Sequence, residues 1–265
     1  MKIAVTAPRG KMGTLIIQAL MDRPDLTLHS VIAPAGRSYL GQDAGLLCGV
    51  GAPLGVAVTA DWEAALTGAD CLIDFSTVEA GREALTRCLV HRVPLVCGTT
   101  GFTEADHRRF EEAAAVLPVL HAANTSRVVH LMKRLLRQAA AELAPAADME
   151  IVEMHDRHKL DAPSGTSREL GRVLCDGAGL DWEEAAVFGR QGARRRAKGE
   201  IGYHSLRAGD ISSSHTVLFG LLGERLEITH HAHNWRCFAE GALDCARFLK
   251  DREPGLYSVE QVFGL

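Results

Sequence analysis

The sequence predicts an α/β protein with a doubly wound parallel sheet, joined to an α+β domain with an open mixed sheet. In the first half of the chain, short apolar runs alternate with amphipathic stretches of helical length. In the second half, three strand-like runs follow one another without long helices between them. Strand–helix alternation favours parallel pairing, whereas successive strands favour a mixed or antiparallel sheet.

The first domain is predicted to contain five strands separated by four helices. Its strands are short apolar runs, and its helices repeat apolar residues every three to four positions. The predicted strands are 2–6, 26–32, 70–74, 94–97 and 116–121, and the predicted helices are 12–22, 62–66, 79–91 and 104–115.

The pattern changes after residue 124, where a long helix over 128–143 is predicted. A strand over 149–154 and a helix over 167–175 come next, followed by the strands 202–207, 214–219 and 225–231. A last helix over 238–249 is expected to return to the first domain. We therefore predict one domain from residues 1–126 and 236–265, and a second from residues 127–235.

The composition limits the classes of function. The chain of 265 residues has 29 Lys and Arg against 33 Asp and Glu, which argues against nucleic-acid or membrane-surface binding because such binders usually carry a basic excess. Its seven cysteines include no Cys-x-x-Cys pair, a pattern typical of reduced, buried thiols. No signal-peptide pattern and no apolar run of ~18 residues occur. We therefore expect a cytoplasmic protein with a small-molecule ligand.

The first predicted strand leads into a glycine-containing turn and then a helix. Such a corner can hold a phosphate, because backbone N–H groups and the helix dipole point at the anion. The usual first glycine is replaced by Ala7, and Pro8 removes a backbone donor. The candidate cofactor contacts here are Gly10, Lys11, Met12 and Gly13.

The end of the second predicted strand lacks the acidic residue that would hold a ribose. The nucleotide fingerprint expects one ~20 residues after the glycines, but no acid lies between Asp25 and Asp43. Arg37, with Arg9 and Lys11, instead favours the 2′-phosphate of NADPH. A corner that keeps its fold but binds nucleotide poorly is the alternative.

Two further strings follow the third and fourth predicted strands, where ligands bind in open α/β sheets. They are Asp74–Thr77 and Gly98–Phe102. The two glycines of the second string would let the backbone approach a flat ring, and its threonines could hydrogen-bond that ring. An ordinary turn is the alternative. The candidate contacts are Phe75, Ser76, Gly98, Thr99 and Thr100.

The segment from His155 to Thr166 carries the densest functional chemistry. Two histidines, an arginine and Lys159 gather within five positions, and Ser164-Gly165-Thr166 precedes a predicted helix. Backbone donors at that helix start, with Lys159, would hold a carboxylate. His155 is a candidate proton donor, because imidazole changes protonation near neutral pH. A charged surface loop before a capped helix is the alternative.

Two other clusters are given structural interpretations. His230 would lie on one face of the last predicted strand and His231 and His233 on the other, and no accompanying spacing matches a zinc site. We therefore predict no metal. The basic segment 190–198 is predicted to be a solvated loop, with a phosphate- or substrate-facing role as the alternative.

In combination, these motifs resemble the bacterial dihydrodipicolinate reductase family over essentially the whole chain. The pattern His-x-Arg-His-Lys-x-Asp-Ala-Pro-Ser-Gly-Thr over 155–166 is highly specific to that family. The other matching stretches are 10–13, 40–45, 74–76, 98–102, 124–126, 207–211, 215–219 and 223–230.

The resemblance implies a Rossmann-like dinucleotide-binding domain and a substrate-binding domain whose open sheet builds a homotetramer. It implies hydride transfer from NADPH or NADH to a cyclic unsaturated imine dicarboxylate in lysine and diaminopimelate synthesis. His155 would be the general acid and Lys159 its partner, and Phe102 would lie by the nicotinamide. The remaining implied contacts are Asn124 for the cofactor and Asp156, His158, Ser164, Gly165 and Thr166 for the substrate.

The chain also departs from the family pattern. Asp156 stands where the family usually has a second histidine, Ala7 where it has glycine, and Ala33-Pro34 where it has an acid often followed by arginine. Thr125 replaces a phenylalanine, and Trp235 an arginine. Two alternatives therefore stay open. One is a repurposed lyase, cyclase or isomerase that does not use nicotinamide, and the other is a non-catalytic binding protein.

Overall fold

The computed structural model describes residues 1–265 and divides them into two compact units. The first consists of residues 1–127 and 235–265, and the second of residues 128–234. These limits lie within one residue of the predicted boundaries. The last long helix belongs to the first unit, as predicted.

The elements of the chain run in the following order. Residues 1–127 form β1 (Lys2–Thr6), α1 (Lys11–Leu20), β2 (Thr27–Ile32), α2 (Ala44–Leu47), β3 (Val58–Thr59), α3 (Trp62–Leu66), β4 (Cys71–Asp74), α4 (Val78–His91), β5 (Leu95–Cys97), α5 (Glu104–Ala114), β6 (Pro118–His121) and the start of α6 (Arg127–Leu143). Residues 128–234 continue α6 and form β7 (Asp148–His155), α7 (Gly165–Ala178), α8 (Trp182–Ala185), β8 (Ala186–Phe188), β9 (Ile201–Arg207), β10 (Ser213–Gly220) and β11 (Arg225–Ala232). Residues 235–265 form α9 (Arg236–Leu249), β12 (Gly255–Tyr257) and α10 (Val259–Phe263).

The first unit contains a seven-stranded sheet in the order β12-β6-β5-β4-β1-β2-β3, in which every pair is parallel. Helices α1 and α9 cover one face through contacts with residues such as Ile3 and Val5. Helices α3, α4 and α5 cover the other face around Leu72 and Leu95. The predicted doubly wound parallel sheet is therefore confirmed. Its strand order reverses between β1 and β4, where such sheets bind ligands.

The second unit contains a five-stranded mixed sheet in the order β11-β10-β7-β9-β8. Strands β11, β10 and β7 pair antiparallel, whereas β7, β9 and β8 pair parallel. Burial alternates along β7, so one face packs its side chains under α6 and α7. The predicted mixed sheet is confirmed.

Six short elements escape the sequence analysis. They are α2, β3, α8, β8, β12 and α10, none longer than five residues. A periodic pattern needs more residues than that to be recognised. All seven cysteines are free and six of them are buried, as the lack of a Cys-x-x-Cys pair and their apolar surroundings predicted. None of the helices combines the length and the apolar character needed to span a bilayer.

The basic segment 190–198 forms a loop whose arginines pair with acids of the second unit. Arg190 and Arg194 bond the carboxylate of Glu200 at 2.6 and 2.7 Å. Arg196 bonds Glu150 at 3.1 Å and Asp148 at 2.6 Å. Hydrogen bonds from Arg190 and Arg194 lower the pKa of Glu200 to about 2. The segment lies in a loop, with Arg190 and Arg194 exposed as predicted, but acids on β7 and before β9 also pair with these three arginines.

Candidate active site

The turn between β1 and α1 has a shape that favours glycine. Ala7 has a φ of 51°, in the left-handed region, and its carbonyl accepts a hydrogen bond from the N–H of Gly10 at 2.9 Å. A Cβ on Gly13 would lie 2.2 Å from the same carbonyl oxygen. Helix α1 has no side-chain cap and no acid in its first turn, so its start suits an anion.

A cavity of about 750 Å³ opens at the carboxyl ends of β1, β2 and β4. It lies beside the point where the strand order reverses. Arg9 contributes to its wall with its guanidinium 5.8 Å from the ring centre of Tyr39. The predicted cofactor contacts that line this cavity are Gly10, Arg37, Phe75 and Ser76.

Asp74, at the end of β4, is a buried acid that the sequence analysis did not select. Its Oδ1 accepts hydrogen bonds from the hydroxyls of Thr6 and Ser76, both at 2.6 Å. Its Oδ2 accepts one from the Thr99 hydroxyl at 2.7 Å. Asp74 therefore ties together the ends of β1, β4 and β5 beside the cavity. An acid that ends an otherwise apolar strand was the available signal.

The string 98–102 packs mainly within the first unit. A Cβ on Gly98 would lie 1.9 Å from the ring of Phe75, so Gly98 makes room for that ring. Phe102 packs against Phe110 and His121, with ring centres 5.1 and 5.2 Å apart. The predicted cofactor contacts that do not line the cavity are Lys11, Met12, Gly13, Gly98, Thr99, Thr100, Phe102 and Asn124. Their contact with a cofactor stays a prediction.

Trp235 lies over the start of α1. The ammonium of Lys11 is 3.7 Å from the centre of the Trp235 ring, a distance typical of a cation–π contact. The Oδ1 of Asn124 accepts the N–H of Ser126 at 2.8 Å. Lys11 and Asn124 are thus already held by neighbours in their own unit.

In the second unit, His155 ends β7 on the buried face of that strand. Glu153, two residues earlier, shares this face because side chains alternate along a strand. The carboxylate of Glu153 bonds Nδ1 of His155. Arg207, opposite His155 on β9, donates to both oxygens of Glu153 at 2.8 and 3.0 Å.

Burial alone would raise the pKa of Glu153, but hydrogen bonds from His155, Arg207 and Ser205 lower it to about 2. Glu153 is therefore ionised at neutral pH. The sequence analysis missed both Glu153 and Arg207. A charged residue on the face of β7 that also carries the apolar Met149 and Ile151 was the available signal.

His215 lies beside His155 on the neighbouring strand β10. The two ring centres are 5.3 Å apart, and Nε2 of His215 is 3.1 Å from the Ser164 hydroxyl. Burial, with the nearby His155 charge, lowers the pKa of His215 to about 3. The Ser164 hydroxyl also accepts the N–H of Ser167 at 3.2 Å and so caps α7. His215 and α7 thus fix the turn that leads to Gly165 and Thr166.

The loop after His155 is a compact turn. The carboxylate of Asp156 accepts the N–H of His158 at 2.8 Å, and the carbonyl of Asp156 accepts the N–H of Lys159 at 3.2 Å. The ammonium of Lys159 pairs with Asp161 at 2.8 Å. In this structure Lys159 is therefore held by Asp161, within the loop that follows the predicted proton donor.

Two further histidines, His230 and His231, lie on β11, next to the strand that carries His215. His230 on β11 lies opposite His215, and their ring centres are 6.4 Å apart. His230 is buried, whereas His231 faces the other way and bonds the Ser214 hydroxyl at 2.8 Å. No group of three His, Cys, Asp or Glu side chains has a geometry that could hold a metal ion.

Comparison with known proteins places this geometry in a family. Residues 1–125 match the family described as dihydrodipicolinate reductase, N-terminus, and residues 128–263 match its C-terminus. The chain belongs to the dihydrodipicolinate reductase family.

Two relatives are proteins named 4-hydroxy-tetrahydrodipicolinate reductase. That of Alkalilimnicola ehrlichii is 43% identical and covers 100% of this chain and 99% of its own. That of Chromobacterium violaceum is 41% identical and covers 99% of this chain and 98% of its own. A dipicolinate-bound dihydrodipicolinate reductase from Paenisporosarcina sp. TG-14 is 25% identical, with a TM-score of 0.77 over 97% of each chain.

Three departures from the family pattern have physical explanations in this structure. Ala7 adopts the left-handed backbone that the usual glycine would favour. One carboxylate oxygen of Asp156 accepts a hydrogen bond from the N–H of His158. Thr125 donates its hydroxyl proton to the carbonyl of Phe238 at 2.7 Å, at the start of α9. The departures therefore preserve local structure, and the comparisons support the reductase interpretation over the two alternatives.

Ala7→Gly is expected to stabilise this dihydrodipicolinate reductase family member. Alanine in the left-handed region costs about 1–2 kcal/mol, and glycine removes this strain. Glycine also raises the conformational entropy of the unfolded chain, which offsets part of the stabilisation. We expect the free energy of unfolding in urea to rise by about 1 kcal/mol. As a control, Ala19→Gly inside α1 should lower it by a similar amount. A destabilised Ala7→Gly variant would contradict the strain argument.

Proposed function

We propose that this chain is a 4-hydroxy-tetrahydrodipicolinate reductase, which uses NADPH or NADH to reduce a cyclic unsaturated imine dicarboxylate. Relatives that carry this name match the chain from end to end at 41–43% identity. The observation that carries the proposal is the backbone of Ala7, one of the positions at which the chain departs from the family's nucleotide-binding pattern. Its left-handed φ preserves the turn before α1.

The first unit is the nucleotide-binding unit in this proposal. The turn from Ala7 to Gly13 and the uncapped start of α1 fit a pyrophosphate. The adjoining cavity fits the adenosine half, with Arg9 and Arg37 in its wall. The turn and the cavity wall would hold the nucleotide without an acid at the end of β2. When bound, a reduced nicotinamide supplies the hydride.

The second unit binds the substrate in this proposal. The N–H groups of Gly165 and Thr166 lie at the start of α7 and are suited to a substrate carboxylate. Lys159 adds positive charge and His158 adds a polar ring from the preceding loop, where Asp156 shapes the turn. Reduction of a conjugated imine adds one hydride and one proton to the ring. His155 donates that proton, because its imidazole is held at the end of β7 by Glu153.

The experiment mixes the purified full chain with 4-hydroxy-tetrahydrodipicolinate and either NADPH or NADH, and follows loss of the reduced cofactor by absorbance. Cofactor oxidation that depends on the substrate is the expected result. No oxidation, together with no change in cofactor fluorescence at millimolar concentration, would overturn the proposal. Turnover of the substrate without cofactor would instead favour a lyase, cyclase or isomerase.

NADPH is expected to bind more tightly than NADH. No acid lies between the end of β2 and Asp43 to hold a ribose, and Arg37 in the cavity wall can pair with a 2′-phosphate. Arg37→Met should raise the Kd for NADPH about tenfold, which is about 1.4 kcal/mol, and leave the Kd for NADH within about twofold. Fluorescence titration measures both. Arg108→Met, an exposed arginine of α5, serves as the control. Equal losses for the two cofactors would contradict this assignment.

The proposal also includes a homotetramer in the cytoplasm. One face of the mixed sheet packs under α6 and α7, and the opposite face carries Val152, Met154 and Leu206, the last 46% exposed. These apolar residues share the face with Glu150 and His204, and an exposed apolar patch is typical of a protein–protein interface. Light scattering after gel filtration measures the assembly, and the mass of one chain would rule out the tetramer.

A further inference from the structure

A buried carboxylate lies directly behind the predicted proton donor. Glu153 is 1% exposed on the core face of β7. A charge buried in this way costs several kcal/mol unless it is paired and hydrogen-bonded. Its neighbours on the same face are the apolar Met149 and Ile151, so packing alone would favour another apolar residue there. The position therefore needs an explanation other than the core.

Four of the hydrogen bonds of Glu153 connect its two oxygens to Arg207, His155 and Ser164. Arg207 donates to each oxygen, at 2.8 Å to Oε1 and 3.0 Å to Oε2. The second contact of Oε2 is Nδ1 of His155. The second contact of Oε1 is the N–H of Ser164, at 3.3 Å. One carboxylate thus bonds both the predicted proton donor and the residue that begins the predicted carboxylate-binding turn.

We propose that Glu153 is a positioning residue that holds His155 and the Ser164–Thr166 turn in one arrangement for proton donation, with Arg207 fixing its carboxylate. The inference rests on the proposed reductase function. A carboxylate can only accept a hydrogen bond, so Nδ1 of His155 must carry a proton. This leaves Nε2 as the ring nitrogen that can donate a proton to a substrate.

The charged and titratable groups around His155 come from five segments. Glu153 lies on its own strand, Arg207 on β9, and His215 on β10, with His230 beyond it on β11. Lys159 lies in the following loop, paired with Asp161. His215 is uncharged at neutral pH, since burial lowers its pKa to about 3. Arg207 is already paired to Glu153, so Glu153 is the anion that faces the imidazole.

The test is Glu153→Gln in the full chain, assayed with NADPH and 4-hydroxy-tetrahydrodipicolinate across the pH range. We expect kcat to fall about 10- to 100-fold, the size typical of lost supporting hydrogen bonds. Because glutamine has no charge, this variant removes the anion beside the imidazole, and the pH profile of kcat should differ from that of the wild type. Glu153→Asp should recover part of both effects. A wild-type pH profile with kcat within about twofold would overturn the inference.

The matched control is Glu150→Gln on the same strand. Glu150 faces the opposite side of β7, where Arg190, Arg196 and His204 bond it. It is removed from His155, so we expect kcat and the pH profile to stay within about twofold of the wild type. An equal shift in this variant would show a general electrostatic effect and overturn the specific role of Glu153.

A readout without turnover separates this inference from the proposed function. Histidine-ring ¹⁵N NMR of the wild type at neutral pH should show a protonated Nδ1 on His155, assigned by its loss in His155→Gln. A wild type without reductase activity would reject the proposed function, while the NMR result would still decide the contact. An unprotonated Nδ1 would overturn the inference, even if Glu153→Gln failed to fold.

Discussion

His155→Gln is expected to lower kcat about 10²- to 10⁴-fold, the usual contribution of a general acid. Glutamine keeps a polar side chain at the end of β7 but cannot deliver a proton near neutral pH. The side chain is 6% exposed and bonds the ionised Glu153, so the variant also leaves that acid with a weaker partner. Steady-state kinetics with NADPH measures the change, and the KM for the cofactor should stay within about twofold.

The matched control for this prediction is His204→Gln. His204 lies on β9 of the same sheet and bonds Glu150 at 2.7 Å, on the opposite face from His155. We expect its kcat to stay within about threefold of the wild type. If His155→Gln retained full kcat, His155 would not be the proton donor and another group would have to supply the proton.

Asp74→Ala is expected to lower the free energy of unfolding by about 3 kcal/mol and to weaken NADPH binding. Three hydroxyl groups donate to this fully buried carboxylate, and hydrogen bonds to a charged group contribute about 1.5–3 kcal/mol each before relaxation. Removal leaves Thr6, Ser76 and Thr99 without their acceptor. Because Thr6 and Ser76 also line the cavity, the nucleotide site loses its shape together with the stability.

Asp70→Ala provides the comparison from the other end of β4. Asp70 precedes that strand and accepts the N–H of Lys2 at 2.7 Å in a more exposed setting. We expect a loss of less than about 1 kcal/mol and an unchanged Kd for NADPH. Urea unfolding and cofactor fluorescence measure the pair. Equal losses in the two variants would show that Asp74 acts only as an ordinary strand residue.

Much of the architecture could be predicted because it depends on local patterns. Apolar runs of strand length, such as Lys2–Thr6, and amphipathic runs, such as Val78–His91, specify elements by their period of two or 3.6 residues. Their alternation specified the parallel sheet, and its absence after residue 200 specified the mixed one. The string from His155 to Thr166 pointed to the family by residue identity alone.

The tertiary structure decided which side chains meet. Register places Arg207 opposite His155 and His215 opposite Glu153, and these pairs are more than 50 residues apart in the chain. Periodicity within one segment carries no information on the register between segments. The same holds for the arginines of segment 190–198, whose acids lie on β7 and before β9.

The sequence by itself determined the class of each element, the family and the string that contains the predicted proton donor. By residue identity, Ala7 and Asp156 are departures from the family pattern, and identity alone does not show whether the local structure is kept. Only the folded chain showed that Ala7 adopts a backbone that alanine rarely takes and that Asp156 closes a turn. The physical reason is that backbone conformation and hydrogen-bond partners depend on the surrounding contacts, which a list of residues does not contain.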